Sequence, residues 1–290
     1  MLSQFRHQLE WLNLFYPLRF KVLVLFCVFF SINSFADPNI KQSSDPMPAK
    51  VFSSEYPLNE RQAYNLQRSF IQNAHKHNDK VMGYKAGLMS VSAFQALSLT
   101  SPVTGVLLES SLLTPDSAGD HTYSLNAALN LMIEQEFAFR LSRSITHAIV
   151  ADDLINYIDK VSTSIELPDV SFPHKKFLGV DIIANNVLAN KVVLSKWQTL
   201  TPKLFTALDQ LTIHLSCHGD VVATGVGKNT LLGQKDALLW MINHLVNEGF
   251  LLNKGMVLLT GNLIPMTKAK ACRYTASFSE FDDMNVTVTP

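Results

Sequence analysis

Hydrophobic and polar positions alternate along several stretches of the chain, which predicts a protein rich in β-strands, because residues two apart share one face of a strand. The predicted strands are Val103–Leu108, Ile133–Leu141, Val161–Glu166, Leu211–Cys217 and Met256–Thr260. Helical spacing of apolar residues predicts an amphipathic helix after Asn59 and another over Asp236–Glu248, with Gly249 placed to end it. Short helices are expected near Ser92–Leu97 and Asp152–Asp159. Since strands and helices do not alternate regularly, the pattern favours an α+β fold over a doubly wound sheet.

The first 36 residues have the pattern of a secretory signal peptide. Arg19 and Lys21 precede an apolar run over residues 22–32, and Ser34 and Ala36 put small residues before a cleavage point. The run is shorter than the roughly 20 residues that a membrane-spanning helix needs. We therefore expect cleavage after Ala36 and export to the periplasm or medium, with membrane contact only through this segment. An uncleaved anchor is the alternative.

The remainder divides into an arm and a domain. Residues 37–58 carry prolines at 38, 46, 48 and 57 together with several serines, a composition typical of a tether or arm. Residues 59–290 are predicted to form one domain. Its first part, 59–80, is helical, and its second part, 81–290, is rich in strands.

Composition excludes several classes of protein. With 47% hydrophobic and 17% charged residues, the chain can bury a core and is not disordered. Lys and Arg balance Asp and Glu at 24 each, so nucleic acid is not an expected partner. Three cysteines without Cys-x-x-Cys spacing exclude zinc fingers and iron–sulfur proteins. Cys217 and Cys272 are predicted to be buried free thiols, and a disulfide in an oxidising compartment is the alternative.

A group of carboxylates offers a candidate metal site. Glu134 and Glu136 lie two apart in an alternating strand and therefore share a face, where their like charges favour a cation. Glu166 ends another predicted strand before Pro168, and could turn into the same pocket. Three carboxylates suit a hard divalent ion such as Mg²⁺ or Mn²⁺. The alternative is a solvated strand edge with a loop acid, and spacing alone favours that alternative.

Several short motifs add a resemblance. They are, in chain order, Gly83–Leu88, Ile133–Phe139, Ser164–Glu166, Asn185-Asn186, Gly225–Gly227 and Met256–Gly261. In this order they resemble the 2-oxopent-4-enoate hydratase branch of the fumarylacetoacetate hydrolase superfamily, which also contains 4-oxalocrotonate decarboxylases. The resemblance runs from about residue 60 to the carboxyl terminus. It implies a mixed β-roll of the fumarylacetoacetate hydrolase type with flanking helices, and a homo-oligomer.

The resemblance also implies eight site residues, which are three ligands of Mg²⁺ or Mn²⁺, two catalytic groups and three substrate contacts. In that order they are Glu134, Glu136 and Glu166; Lys85 and Asp169; and Gly87, Asn186 and Gly225. The implied substrate is a short unsaturated 2-oxo acid such as 2-hydroxypenta-2,4-dienoate, which a hydratase converts by adding water. A related decarboxylase would remove carbon dioxide from a 2-oxo dioate with the same metal.

One position departs from the family's pattern at a chemically important place. Eighteen residues after the lysine the family has an aspartate, an expected proton carrier, whereas this chain has Val103. A valine cannot transfer a proton. Two functions therefore remain open, which are a lyase of reduced or altered activity and a silent exported relative that binds a 2-oxo acid or a protein partner.

Overall fold

The structure, a computed structural model, describes residues 46–173 and 176–290, so the predicted signal peptide and the first part of the arm lie outside the described residues. Within that part of the chain the α-helices are α1 (Glu60–Lys76), α2 (Val91–Ala96), α3 (Leu154–Tyr157), α4 (Gly179–Ala184), α5 (Pro202–Ala207) and α6 (Gln234–Asn247). The strands are β1 (Val81–Gly87), β2 (Val103–Leu108), β3 (Thr122–Ser124), β4 (Met132–Leu141), β5 (Ile158–Leu167), β6 (Lys191–Leu194), β7 (Gln198–Thr199), β8 (Thr212–Cys217), β9 (Asp220–Val226), β10 (Val257–Leu259), β11 (Thr267–Lys268), β12 (Cys272–Phe278) and β13 (Met284–Thr289). None of the helices in these two ranges has both the length and the apolar character that crossing a membrane requires.

The strands form two sheets of mixed direction. The first has eight strands in the order β2-β1-β10-β4-β5-β6, with β11 paired to β4 and β7 paired to β5. In it β1 runs parallel to β10, while β10, β4 and β5 pair antiparallel. The second has five strands in the order β3-β13-β12-β8-β9. The predicted α+β class is confirmed.

Strand β4 shows how the hydrophobic pattern determines the two faces of the larger sheet. Ile133, Phe137 and Phe139 are fully buried in the main hydrophobic core on one face. The alternating residues, Glu134 and Glu136 among them, therefore lie on the other face. This second face also carries a smaller apolar cluster formed by Leu107, Ala138, Val192, Val257 and Leu259.

The predicted helix over Asp152–Asp159 is shorter than expected. Helix α3 ends at Tyr157, and β5 begins at Ile158. Three of the next residues, Val161, Thr163 and Ile165, are β-branched, which favours a strand over a helix. They alternate along a strand whose central part is fully buried.

Helix α1 fixes the edge of the larger sheet. It starts with a capping box, in which the side chain of Asn59 accepts from the Gln62 amide and the side chain of Gln62 accepts from the Asn59 amide. Its buried face then reaches β2 through two polar groups. The Tyr64 hydroxyl accepts from the Thr104 amide at 3.1 Å, and Gln67 Nε2 donates to the Thr104 carbonyl at 2.8 Å.

The two cysteines of the described region form a disulfide, so the prediction of free thiols was wrong. Cys217 ends β8 and Cys272 begins β12, and their Cα atoms lie 5.9 Å apart. Strands β8 and β12 are antiparallel neighbours, and Cys217 faces Tyr274, two residues from Cys272. A separation of 55 residues in the sequence gives no sign of this proximity. A bridge across a loop of this length stabilises a protein by about 4 kcal/mol, chiefly by restricting the unfolded chain.

The described part of the proline-rich arm is bound to the domain. The Ala49 amide donates to the Ser171 carbonyl at 3.2 Å. Further along, the amide and hydroxyl of Ser53 donate to the two carboxylate oxygens of Asp181 at 2.8 and 2.6 Å. The arm therefore packs beside α4 and does not hang free as a tether would.

Candidate metal and substrate site

Four charged side chains meet on one face of the larger sheet. Glu134 lies directly opposite Glu166 in the β4–β5 pair, and Glu136 follows two residues later on the same face of β4. Lys85 reaches this face from β1, where its register partner on β10 is Leu259. Because β10 lies between β1 and β4, the sheet register brings the lysine towards the three glutamates.

The charged groups are in contact and buried. Lys85 Nζ lies 2.5 Å from Glu166 Oε1 and donates to the Val187 carbonyl oxygen at 3.3 Å. One oxygen from each of the three glutamates lies within 4.8 Å of the others. Lys85 is 3% exposed, whereas Glu136 and Glu166 are fully buried. The alternative of a solvated strand edge is therefore excluded for these two carboxylates.

The carboxylates have unused capacity to bind a cation. Glu136 Oε2 accepts from the Gly261 amide at 2.7 Å. Glu136 Oε1 and Glu166 Oε2 are buried and accept no hydrogen bond from any described residue. A buried carboxylate oxygen without a partner is unfavourable, and a divalent ion is the partner that a set of carboxylates binds best. The three residues fit Mg²⁺ or Mn²⁺ as hard oxygen ligands.

Burial and mutual repulsion change the protonation of the cluster. Burial raises the pKa of Glu134 to about 7, and the charge of Lys85 opposes this rise. Burial, and then the charge of Glu166, raises the pKa of Glu136 well above its usual value. Burial acts to lower the pKa of Lys85, but the charges of the glutamates, Glu166 first, outweigh it and raise that pKa. The lysine stays cationic, while the raised pKa values of Glu134 and Glu136 favour protonated carboxyl groups, whose protons a metal would displace.

We expect the metal-free protein to lose stability as pH rises from about 5 to 8. The pKa of Glu134 is about 7 in the folded protein, whereas its ordinary value, which applies to the unfolded chain, is 4.5. Between these two pH values the folded state therefore binds more protons than the unfolded state. The free energy of unfolding then falls as pH rises. A metal replaces the proton, so the rise in melting temperature with Mg²⁺ should be larger at pH 8 than at pH 6. Thermal melts with EDTA and with Mg²⁺ measure it, and equal shifts at the two pH values would contradict the expectation.

A strained turn, Asn186–Leu188, contacts Lys85. Its three residues have φ values of +55°, +50° and +57°, in the left-handed region that is unfavourable for a β-branched residue such as Val187. Two glycines on the neighbouring strands allow the turn to come close. A Cβ at Gly87 would lie 2.5 Å from Val187 Cγ1, and a Cβ at Gly105 would lie 2.7 Å from the first carbonyl oxygen of the turn.

Val103 forms part of the wall beside Lys85. It pairs with Gly87, which is two residues from Lys85 on β1, so its side chain lies on the same face as the charged cluster. Val103 is 1% exposed and Val187 is 5% exposed. The wall at the position of the family's aspartate is therefore apolar, as the sequence indicates.

Three further predicted site residues, Asn186, Gly225 and Asp169, make contacts within the protein. The side chain of Asn186 accepts a hydrogen bond from the edge of β2. The backbone of Gly225 on β9 packs against the Leu263 carbonyl. The catalytic role of Asp169 stays a prediction. Its carboxylate accepts from the amides of Leu129 and Asn130 at 3.2 and 2.7 Å, which ties down the loop before β4.

Two groups at the site were missed by sequence reasoning. The Gly261 amide binds Glu136, and the signal for it was a glycine two residues after the end of the buried strand β10, where φ is +97°. The Val187 carbonyl binds Lys85. No signal pointed to that carbonyl, because a valine argues against a left-handed turn.

Comparison with known proteins gives relatives at low identity. No model of a known protein family matches the chain. A 2-keto-4-pentenoate hydratase of Paraburkholderia xenovorans (strain LB400) is 28% identical over 217 residues, which cover 73% of this chain and 77% of the relative. A 4-oxalocrotonate decarboxylase of Pseudomonas sp. (strain CF600) is 22% identical over 73% of this chain and 78% of the relative.

Solved structures share the fold. The 4-oxalocrotonate decarboxylase from Pseudomonas putida G7, complexed with magnesium and adipate, has a TM-score of 0.75 and 18% identity, and the match covers 84% of this chain and 91% of that one. Fumarylpyruvate hydrolase from Pseudomonas aeruginosa, in complex with Mn²⁺ and pyruvate, has a TM-score of 0.55 and 9% identity over 71% and 88% of the two chains. The predicted β-roll fold is confirmed. In sequence the chain is therefore similar, at low identity, to 2-keto-4-pentenoate hydratases and a 4-oxalocrotonate decarboxylase, and it shares the fold of a 4-oxalocrotonate decarboxylase and a fumarylpyruvate hydrolase.

Proposed function

We propose that this protein is a divalent-metal-dependent hydratase of a short unsaturated 2-oxo acid such as 2-hydroxypenta-2,4-dienoate. The observation that carries the proposal is the buried cluster of Glu134, Glu136 and Glu166 around Lys85. Relatives named 2-keto-4-pentenoate hydratase support this reaction class. They give no support to the alternative of a silent binding protein. The predicted homo-oligomer stays a prediction.

The three glutamates would hold Mg²⁺ or Mn²⁺. When bound, such an ion acts as a Lewis acid that stabilises the enolate of a 2-oxo acid. The protein supplies the ligands in a dry setting, because Glu136 and Glu166 are fully buried. The Gly261 amide fixes one oxygen of Glu136 and leaves the other one free for the ion.

Lys85 is suited to bind the negative charge of the substrate. The glutamates raise its pKa, so the ammonium keeps its proton at neutral pH. Its contacts with Glu166 and with the Val187 carbonyl hold Nζ at the cluster. An anionic substrate would compete with Glu166 for this ammonium. A fixed ammonium in a buried site stabilises a carboxylate or a developing oxyanion much more strongly than one in water.

The apolar surroundings favour a mono-acid over a dioate. Val103 and Val187 form the wall beside Lys85, and Leu107 and Leu259 lie on the same face of the sheet. An unpaired second carboxylate would be unfavourable against such side chains, whereas a short hydrocarbon chain would not. This arrangement favours hydration of a dienoate over decarboxylation of a 2-oxo dioate. Decarboxylation is the second candidate, because one relative is named 4-oxalocrotonate decarboxylase.

The function is tested by the loss of ultraviolet absorbance of 2-hydroxypenta-2,4-dienoate with Mg²⁺ or Mn²⁺ present. We expect Lys85→Met to lower kcat/KM by about 10²–10³, the effect of removing one charge-stabilising donor. The rise in melting temperature with metal should persist, since the glutamates remain. Lys203→Met, which changes an exposed lysine on α5, serves as the matched control. A wild-type protein that binds metal but leaves the dienoate unchanged would refute the proposed hydratase activity.

Export is a second proposal, and the disulfide supports it. Disulfides such as Cys217–Cys272 persist in oxidising compartments and are rare in the cytosol. With the predicted signal peptide, this favours a periplasmic or secreted protein. We expect intact-mass measurement of the native protein to show cleavage after Ala36 and the loss of two hydrogens from the cysteine pair. A native mass that includes Met1, with reduced cysteines, would contradict export.

A further inference from the structure

Asn186, the first residue of the strained turn, and Asn185 directly before it each bind the backbone of a distant residue. Asn186 Oδ1 accepts from the Val106 amide at 2.7 Å, and its Nδ2 donates to the Val106 carbonyl at 2.9 Å. Asn185 does the same with Lys50 of the arm, at 2.9 and 2.7 Å. Each side-chain amide thus pairs with the backbone of one residue as a neighbouring strand would.

The Asn186 pair lies at the outer edge of β2, two residues from Thr104, whose amide and carbonyl are bound by α1. Strand β2 is the last strand on its side of the larger sheet, and Val106 is in its middle. Both hydrogen bonds are buried, and Asn186 is 6% exposed. Loss of the amide would leave a buried N–H and a buried C=O without partners, so this side chain ties the turn firmly to β2.

The tie is needed because the turn is strained. Three successive non-glycine residues in the left-handed region persist only where their surroundings over-determine the backbone. The restraints in the structure are the two asparagine pairs and the Asp169 amide, which donates to the Leu188 carbonyl at 3.3 Å. The strained backbone places the Val187 carbonyl against Lys85 Nζ.

We infer that Asn186 is a positioning residue for Lys85. By tying the turn to β2, it holds the Val187 carbonyl where that oxygen accepts one N–H of the ammonium. Glu166 takes a second N–H, so the third can be directed at the substrate. Without Asn186 the turn relaxes, the carbonyl moves away, and Lys85 is no longer oriented. The kinetic part of this inference rests on the proposed hydratase function, whereas the structural part does not.

The test compares Asn186→Ala with Asn243→Ala. Asn243 on α6 makes the same pair of hydrogen bonds, at 2.8 and 3.0 Å, but with Ile149 and not with the turn or β2. The first measurement needs no substrate or metal: reductive methylation of Lys85, quantified by peptide mass spectrometry. We expect Lys85 in Asn186→Ala to be methylated several-fold faster than in wild type, and Lys85 in Asn243→Ala to react as in wild type.

The second measurement is kinetic. For Asn186→Ala we expect kcat of dienoate hydration to fall by about 10²-fold, the scale of a misplacement near 1 Å, with a smaller change in KM. The melting-temperature shift with Mg²⁺ should stay, because the glutamates are untouched. Should Asn186→Ala fail to fold, Asn186→Asp keeps the acceptor for the Val106 amide and is expected to give the same changes in weaker form.

The outcomes are separable. Wild-type methylation of Lys85 in a folded Asn186 variant would overturn the inference and leave Asn186 a purely structural residue. Faster methylation in the Asn186 variant and in Asn243→Ala alike would overturn it too, because general loosening would then explain the result. If the wild type shows no hydration, the proposed function fails, and the methylation result still decides the role of Asn186.

Discussion

Replacing Glu136 with glutamine is expected to abolish the rise in melting temperature that Mg²⁺ or Mn²⁺ gives the wild-type protein. Glu136 contributes a buried oxygen without a partner, and an amide in its place has no charge to attract the ion. A ligand at 100 times its Kd adds about 2.7 kcal/mol to the free energy of unfolding. For a chain of this size that is a shift of about 5–10 °C. Melts recorded in EDTA and in excess metal measure it.

A second expectation separates loss of the site from loss of the fold. Without metal, Glu136→Gln should melt close to the wild type, because the raised pKa of Glu136 favours its uncharged form and the glutamine oxygen can still accept from the Gly261 amide. Glu109→Gln, which changes an exposed glutamate after β2, is the control and should keep the full metal shift. A full shift in Glu136→Gln would refute the assignment of Glu136 as a ligand.

Replacing Val103 with aspartate is expected to raise the rate of dienoate hydration by about 10²–10⁴, the range that general acid–base catalysis supplies. Val103 shares a face with Lys85 and lies beside Gly87, so a carboxylate there would enter the wall of the site. Binding of an analogue such as oxalate should change little, because it depends on the metal ligands and Lys85. Hydration rate and oxalate affinity, both with Mg²⁺, measure the two effects.

Val103→Asn is the matched control for this substitution. It has nearly the same shape as aspartate but cannot carry a proton at neutral pH, so it should leave the rate at the wild-type level or below. A wild type that is already fast, and that Val103→Asp slows, would show that another group transfers the proton. That result would remove the link between Val103 and a weakened reaction.

Local patterns in the sequence predicted the elements that lie at the centre of the fold. The alternation over Ile133–Leu141 gave β4 and its two faces, and the spacing after Asn59 gave α1. The order of strands could not be predicted in this way. Nothing local indicates that β10 lies between β1 and β4, or that Glu134 faces Glu166, because register depends on pairing between distant segments.

The resemblance identified the charged side chains of the site but not the conformation of the backbone around them. The resemblance named Lys85 and the three glutamates, and the sheet register brings these four together. It also named Asp169, whose carboxylate accepts a hydrogen bond from the loop before β4. The Val187 carbonyl could not be found from the sequence, because its position results from a backbone conformation that valine disfavours.

The turn beside Lys85 also has a consequence for how the protein folds. It is held by Lys50, which is 135 residues from Asn185, and by Val106, which is 80 residues from Asn186. Contacts between such distant segments require large loops to close, and that entropy must be lost before any contact is gained. The pairing of β1 with β10, which joins Gly83 to Val257, closes an even larger loop, so the larger sheet and this corner are expected to form together. During refolding, circular dichroism and the orientation of Lys85 should therefore recover in one phase, and a protein without the corner would also lack a complete sheet.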